Sequence, residues 1–262
     1  MTSIKLSNAD YVKQLLKNNE RDDKRGFMEY RTINIINDFI PNAEGSARVK
    51  LGYTDVLAGV KLGVEEPMPD KPNEGNLMVS AELLPMASET YEAGPPTPEA
   101  IELSRVIDRG IRAASAVDLS KLFIEEGKVW TAFIDVYVIN YDGNLFDAGE
   151  LAAMSALMNT KMPKYEDGKI IKEESTGKLP IGNLVTSCTF AKIGKSILLD
   201  PTGLEEEIMS ARLTVANDDK YMRAMQKGIK GSFTGEEVEM LIDTSFEKSK
   251  QLRKVLDENK VD

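Results

Sequence analysis

The sequence predicts an α+β architecture made of two sheet-plus-helix halves, and three observations predict it. Glycine-punctuated runs rich in β-branched residues recur in both parts of the chain, a threonine-led helix start follows the strands in each, and one intervening helix is apolar almost throughout.

Taken in order, Asn8 is placed to cap a helix over about 9–18, with Tyr11, Val12, Leu15 and Leu16 on one side. A polar stretch then closes an N-terminal arm, residues 1–26. Strand-like runs follow at Thr32–Ile36, Ser46–Leu51, Asp55–Val64 and Asn76–Leu84, separated by Gly45, Gly52, Gly59 and Gly75. Gly94-Pro95-Pro96-Thr97-Pro98 stops extended structure. Thr97 as cap and Pro98 in the first turn open a helix to about Ser115. Val129–Asn140 reads as a further strand and Asp147–Thr160 as an internal helix. The polar, Gly- and Pro-bearing stretch 161–181 reads as a junction between a first half, 27–160, and a second, 182–262. In the second half, strands are expected at 182–192, 196–200, 211–216 and 221–226. Thr234 then caps a helix over about 235–258, with Val238, Leu241, Ile242, Leu252 and Leu256 inward.

Composition narrows the chemistry. The 262 residues contain no histidine and one cysteine, Cys188, which excludes imidazole bases, histidine metal sites, cysteine-rich zinc sites and internal disulfides. Catalysis would have to use carboxylates, Lys, Arg, Tyr or hydroxyls, and no cofactor or resident metal is expected. A 42% hydrophobic share with 29% charged residues is that of a folded soluble chain. The net charge of −10 repels polyanions over most of the surface. With no signal pattern at the start and no apolar run near the ~20 residues of a membrane helix, the expected place is the cytoplasm, away from membranes.

Against that acidic background, residues 101–112 stand out. At helical spacing Leu103, Val106, Ile107, Gly110, Ile111 and Ala114 share one face, and Arg105, Arg109 and Arg112 form a stripe opposite. Guanidinium forks suit phosphate oxygens, so the stripe could hold a nucleic-acid backbone. The competing reading is that Glu102 and Asp108 pair with these arginines on a solvated surface. Asp147 and Glu150 have the spacing of a capping box. The acidic phrase Glu205-Glu206-Glu207 could hold a cation or form a solvated helix start.

Glu29-Tyr30-Arg31, Gly45-Ser46-Ala47-Arg48-Val49, Gly52-Tyr53-Thr54-Asp55-Val56, Ile101 to Arg109, Gly127-Lys128-Val129-Trp130 and Ile134-Asp135-Val136-Tyr137-Val138 together resemble the ribonuclease PH family over nearly the entire chain. Asn144-Leu145-Phe146-Asp147-Ala148, Asn159-Thr160-Lys161 and Asp200-Pro201-Thr202 resemble, more narrowly, its non-catalytic ring-subunit branch from the archaeal exosome. The resemblance implies a ribosomal protein S5 domain 2-like (ribonuclease PH-like) fold. It also implies partnership with a catalytic relative, as three heterodimers in a hexameric ring, with RNA-binding cap subunits. Such a ring shortens single-stranded RNA from its 3′ end with inorganic phosphate.

Catalytic members carry a Gly-Ser/Thr-Arg phosphate grip at the start of the internal helix and two aspartates six apart in the second half. The corresponding positions here read as Gly149-Glu150-Leu151 and as Glu206 and Arg212. Many relatives also carry Asp-Gly-Arg in the arm, where this chain has Asp22-Asp23-Lys24-Arg25. The expectation is therefore a subunit with no catalytic residue of its own that shapes its partner's cleft and binds RNA through Arg105, Arg109 and Arg112. The alternatives are a self-sufficient phosphorolytic 3′→5′ exoribonuclease and a purely structural ring module without RNA contact.

Overall fold

The computed structural model describes residues 2–260, with side chains from Asn8 onward. Helix α1 spans Thr2–Lys17. Strands β1 (Ile33–Asn37), β2 (Gly45–Leu51), β3 (Thr54–Glu65) and β4 (Asn76–Leu83) precede helix α2 (Pro98–Ala114). After a 3-10 turn at Leu119–Leu122 come β5 (Phe123–Glu125), β6 (Lys128–Asn140) and helix α3 (Leu145–Met158). Strands β7 (Lys161–Glu166) and β8 (Lys169–Lys178) follow. The second half then holds β9 (Thr186–Ile193), β10 (Ser196–Leu199), the one-turn helix α4 (Gly203–Glu206), β11 (Ala211–Asn217), β12 (Met222–Gly228) and helix α5 (Gly235–Glu258).

The first sheet has the order β1-β2-β3-β6-β4, with β5 paired to the start of β6, and the second has the order β10-β9-β11-β12. All pairings are antiparallel except β4 with β6, which α2 connects as a crossover. Four layers result: the first sheet, the α2–α3 pair, the second sheet and α5. Alternation along β9 shows why both faces of the second sheet are closed. Ser187 and Thr189 meet α3, whereas Cys188 meets Ser245 and Ser249 of α5. Helix α3 lies between two sheets, so all of its residues after Leu145 are buried. Leu151, Met154 and Leu157 are wholly enclosed, and each contributes about 1.5–3 kcal/mol of hydrophobic stabilisation.

The α+β architecture matches the expected one, with differences that have local causes. Asn8 sits inside α1 and does not cap it. The helix runs on upstream, and one asparagine costs little in a helix whose Val12 and Leu16 pack against Ile193 and Leu198. The stretch 161–181 read as a junction is largely an exposed two-stranded ribbon, β7–β8, whose register shifts around Pro163. On α5 the buried side is Leu241, Ser245, Ser249, Leu252 and Leu256, while Val238 and Ile242 are only partly covered. The two serines were unforeseen because they meet Cys188 and Asn217 across the sheet interface. The halves are also unequal, since the first sheet shares two helices with the second and α5 belongs to the second alone.

Strand β2 packs against the end of α3 at Gly45, where an added Cβ would sit 2.5 Å from the Ala156 carbonyl oxygen. Gly45→Ala is therefore expected to cost about 1–3 kcal/mol, seen as a lower urea midpoint. Gly235→Ala, at the open first position of α5, should leave the midpoint unchanged or raise it. Equal effects at both positions would contradict this packing.

Candidate functional site

Helix α2 begins where expected. The Thr97 hydroxyl accepts from the Ala100 amide and Pro98 occupies the first turn. Its inner face, Ala100, Leu103, Val106, Ile107, Gly110, Ile111 and Ala114, is buried. That leaves Arg105 and Arg109 exposed on the outside.

The two readings of the arginine stripe separate residue by residue. Arg112 donates through Nε to both carboxylate oxygens of Asp108, at 2.8 and 2.9 Å, and through Nη2 to the Leu77 carbonyl. Glu102 turns away from the stripe and pairs with Arg212 of β11 at 2.5 Å. Arg109 donates to the neutral Gln226 side chain of β12 at 2.8 Å. Arg105 has no hydrogen bond or ion pair among the described residues. Two of the three guanidiniums are thus free of carboxylates.

The internal helix starts differently from the sequence expectation. Its cap is Asn144, in the left-handed region at φ 54°, and Asp147 and Glu150 form no capping box. Asp147 instead accepts from the Tyr30 hydroxyl (2.9 Å), the Asn144 amide (2.9 Å), and the Thr189 hydroxyl (2.7 Å) and backbone N–H (3.0 Å). Glu150 points the other way, accepting from the Ser187 hydroxyl, with Oε1 lacking a partner among the described residues. Gly110 makes room for that carboxyl, because a Cβ there would collide with it.

Gly149-Glu150-Leu151 consequently lie a turn inside α3 and are buried. The residues at its start are Asn144-Leu145-Phe146, so Gly149-Glu150-Leu151, expected at the helix start, lie five residues beyond it. These residues also lack the Gly-Ser/Thr-Arg pattern.

A bare helix N-terminus attracts anions, since its first amides are unpaired and the helix dipole is positive there. Here a carboxylate of the chain itself lies beside it. The Asn144 N–H donates to Glu206 Oε1 at 2.9 Å, and Glu206 Oε2 accepts from the Tyr141 hydroxyl at 2.6 Å. Arg212 lies over the Phe146 ring, 4.2 Å from its centroid. Glu206 and Arg212, separated by six in sequence, are thus brought together around one helix start. Burial pushes the Glu206 carboxyl above its ordinary value, and its hydrogen bonds and two nearby guanidiniums pull back.

The acidic phrase disperses. Glu205 completes a capping box with Thr202 and forms a buried bidentate pair with Arg21, while Glu206 turns to α3. Among the described residues, no three His, Cys, Asp or Glu groups converge to hold a metal ion.

A residue not singled out for itself ties these pieces together. Asp200, wholly buried and at φ 52°, accepts from Arg31 Nε (2.9 Å), Nη2 (2.7 Å) and backbone N–H (2.9 Å), from Arg25 Nη1 (2.8 Å), and from the Asn144 amide (2.7 Å). Burial acts to lower the Arg31 pKa, but the bonds to Asp200 outweigh it and hold the guanidinium above its usual value. Arg25, whose role the sequence left open, is spent inside the protein. The sequence signals were the phrases Tyr30-Arg31 and Asp200-Pro201, which carry no hint that they meet.

Two models of the 3′ exoribonuclease family match the chain, domain 1 over residues 29–163 and domain 2 over residues 183–248. An exosome complex component Rrp42 of Thermococcus gammatolerans is 52% identical over 253 residues, covering 94% of this chain and 93% of its own length. The Rrp42 of Pyrococcus furiosus is 46% identical, covering 94% and 91%. Among solved structures, a chain of the Archaeoglobus fulgidus exosome with RNA bound to the active site matches at a TM-score of 0.91 and 45% identity, covering 96% of this chain and 98% of that one. A chain of an archaeal exosome core matches at 0.88 and 42%, covering 97% and 98%.

Burial raises Asp147 to about 7 and Glu150 to about 8, so both carboxyls bind protons more tightly folded than unfolded. Unfolded carboxyls titrate near ~4, so the folded state carries the extra protons above that pH. Stability from these groups is full below that point and is lost as pH rises through about 7 and about 8. Glu150→Gln should flatten the upper part of this decline in urea midpoints taken from mildly acidic to mildly alkaline buffer. A decline as steep as wild type would show that Glu150 does not titrate there. At the ionic centre, Arg31→Ala leaves Asp200 without its main partner and should cost about 3–5 kcal/mol by the same measurement.

Proposed function

The chain belongs to the 3′ exoribonuclease family, and on that premise we propose that it is a ring subunit of an archaeal-type exosome that binds RNA without cutting it. The observation that carries this reading is the closed start of α3. Phosphorolysis needs donors there to orient an attacking phosphate, yet Glu206 takes the Asn144 amide and Phe146 stands where the grip would place its arginine. An incoming phosphate would meet the Glu206 carboxylate beside the first helical amides, and the repulsion opposes both binding and attack.

RNA contact falls to the outer face of α2. Arg105 and Arg109 are exposed, free of carboxylates and one helical turn apart, which suits successive phosphates of a single strand. Arg112 is the third member of the proposed set. Its pairing with Asp108 and Leu77 makes its contribution the smallest of the three. The partner is a catalytic ribonuclease PH-like subunit, with three copies of each chain alternating in a six-membered ring that carries RNA-binding caps and works in the cytoplasm. Within that ring this chain holds one wall of the partner's cleft and keeps the RNA backbone in place, without reading bases through these arginines.

The purified chain, given RNA and inorganic phosphate, is expected to release no nucleoside diphosphate. Turnover by the lone chain would overturn the non-catalytic reading. In the reconstituted ring, Arg105→Ala with Arg109→Ala should weaken RNA binding for every sequence and flatten the slope of log affinity against log salt by roughly 1.4, at ~0.7 per lost phosphate contact. An unchanged slope would mark the chain as a structural module only.

A further inference from the structure

Beside Arg105 lies a groove of about 520 Å³ that the phosphate contacts leave unused. It runs along β4, the edge strand of the first sheet, between α2 and the sheet face turned away from the helices. Register sets its floor. Met78 of β4 stands opposite Phe133 of β6, and Ser80 stands opposite Asp135, so all four side chains share one face. Met68 closes the end. Met68 and Met78 are 47% and 45% exposed, a large apolar area left open to water in so acidic a protein.

The polar groups around this floor are unevenly satisfied. Asp108 and Arg112 neutralise each other. Arg105 has no partner among the described residues. Asp135 accepts from the Ser80 hydroxyl through Oδ1 at 2.6 Å, and its Oδ2 has no hydrogen bond among the described residues. The groove thus combines an aromatic and thioether floor, a free guanidinium and a free carboxylate oxygen.

We propose that this groove seats one nucleobase of the bound RNA, next to the phosphate held by Arg105, and prefers guanine. The inference rests on the RNA-binding reading of Arg105. A base is flat and apolar on its faces, which suits Phe133 and the methionines, and its edge carries the discriminating groups. Guanine presents two adjacent N–H donors, N1–H and N2–H, to an acceptor-only carboxylate. Uracil presents one N–H between two carbonyl oxygens, which a carboxylate repels. Adenine and cytosine offer an amine beside a ring nitrogen acceptor. Asp135 therefore rewards guanine and penalises uracil, while Arg105 serves any nucleotide.

The test uses the intact ring in phosphate-free buffer with fluorescently labelled 12-mers, all-uridine and alternating uridine-guanosine, read by anisotropy. The alternating strand should bind about fivefold tighter or more. Asp135→Asn keeps an oxygen for Ser80 but turns an amide toward the base, so it should remove the preference and tighten all-uridine binding, because the repulsion of uracil's carbonyls is lifted. Met78→Ser, at an exposed position that folding does not depend on, should reduce the preference in the same direction. Arg105→Ala should weaken both strands by the same factor.

A guanosine preference that is missing in the wild type, or that survives Asp135→Asn, overturns the groove assignment. The RNA-binding reading then still stands if Arg105→Ala weakens both strands. No effect of Arg105→Ala on either strand overturns that reading too. Loss of ring assembly in the groove variants with RNA affinity intact would identify the β4 edge as a protein-docking strand and likewise sink the proposal.

Discussion

The Asp200 carboxylate, buried with Arg31 and Arg25 wrapped around it, is the interaction on which the remaining structure depends. Three charges drawn this far out of water are tolerable only when the carboxylate's lone pairs find donors, and here five N–H donors supply them. Those donors come from the arm, from the segment leading into β1 and from the cap of α3, whereas Asp200 itself follows β10 of the second half. One carboxylate therefore locks the arm, the first half and the second half into a single arrangement. Arg21 repeats the device nearby with Glu205 and the carbonyls of Leu199 and Asp200.

From that lock the closed helix start follows. Asn144 is held in a left-handed conformation by bonds to Asp200 and Asp147, and Gly143 before it approaches Pro201 and Thr202 too closely for a side chain. The 201–206 segment is thereby brought onto α3, and Glu206 arrives at the Asn144 amide. The same positions that could form an anion site are thus turned into an internal junction between halves. Arg212 completes the exchange. Pinned by Glu102 and stacked on Phe146, it is a buried cation at that junction.

The outer face of α2 escapes this internal use because the helix is strongly two-sided. Its apolar face packs inward, Glu102 is drawn off to Arg212 of β11, and Asp108 satisfies Arg112. Arg105 and Arg109 are thereby left without a carboxylate partner among the described residues.

Much of this was legible along the chain. Local signals depend on near neighbours, so the Thr97-Pro98 and Thr234 helix starts, the β-branched strands and the two-sided pattern of α2 could be read directly, as could the absence of imidazole chemistry. Short ordered phrases were enough to suggest the family. What tertiary structure alone decided are the partnerships across long separations: Asp200 with Arg31, Glu102 with Arg212 rather than its own helix, Glu150 against Gly110 and Ser187. No periodicity encodes these, because each depends on which layers stack and how closely backbones approach. For the same reason Asn144, and not Asp147, caps α3: a carboxylate that looks like a cap in sequence is drawn inward once a second sheet closes over it.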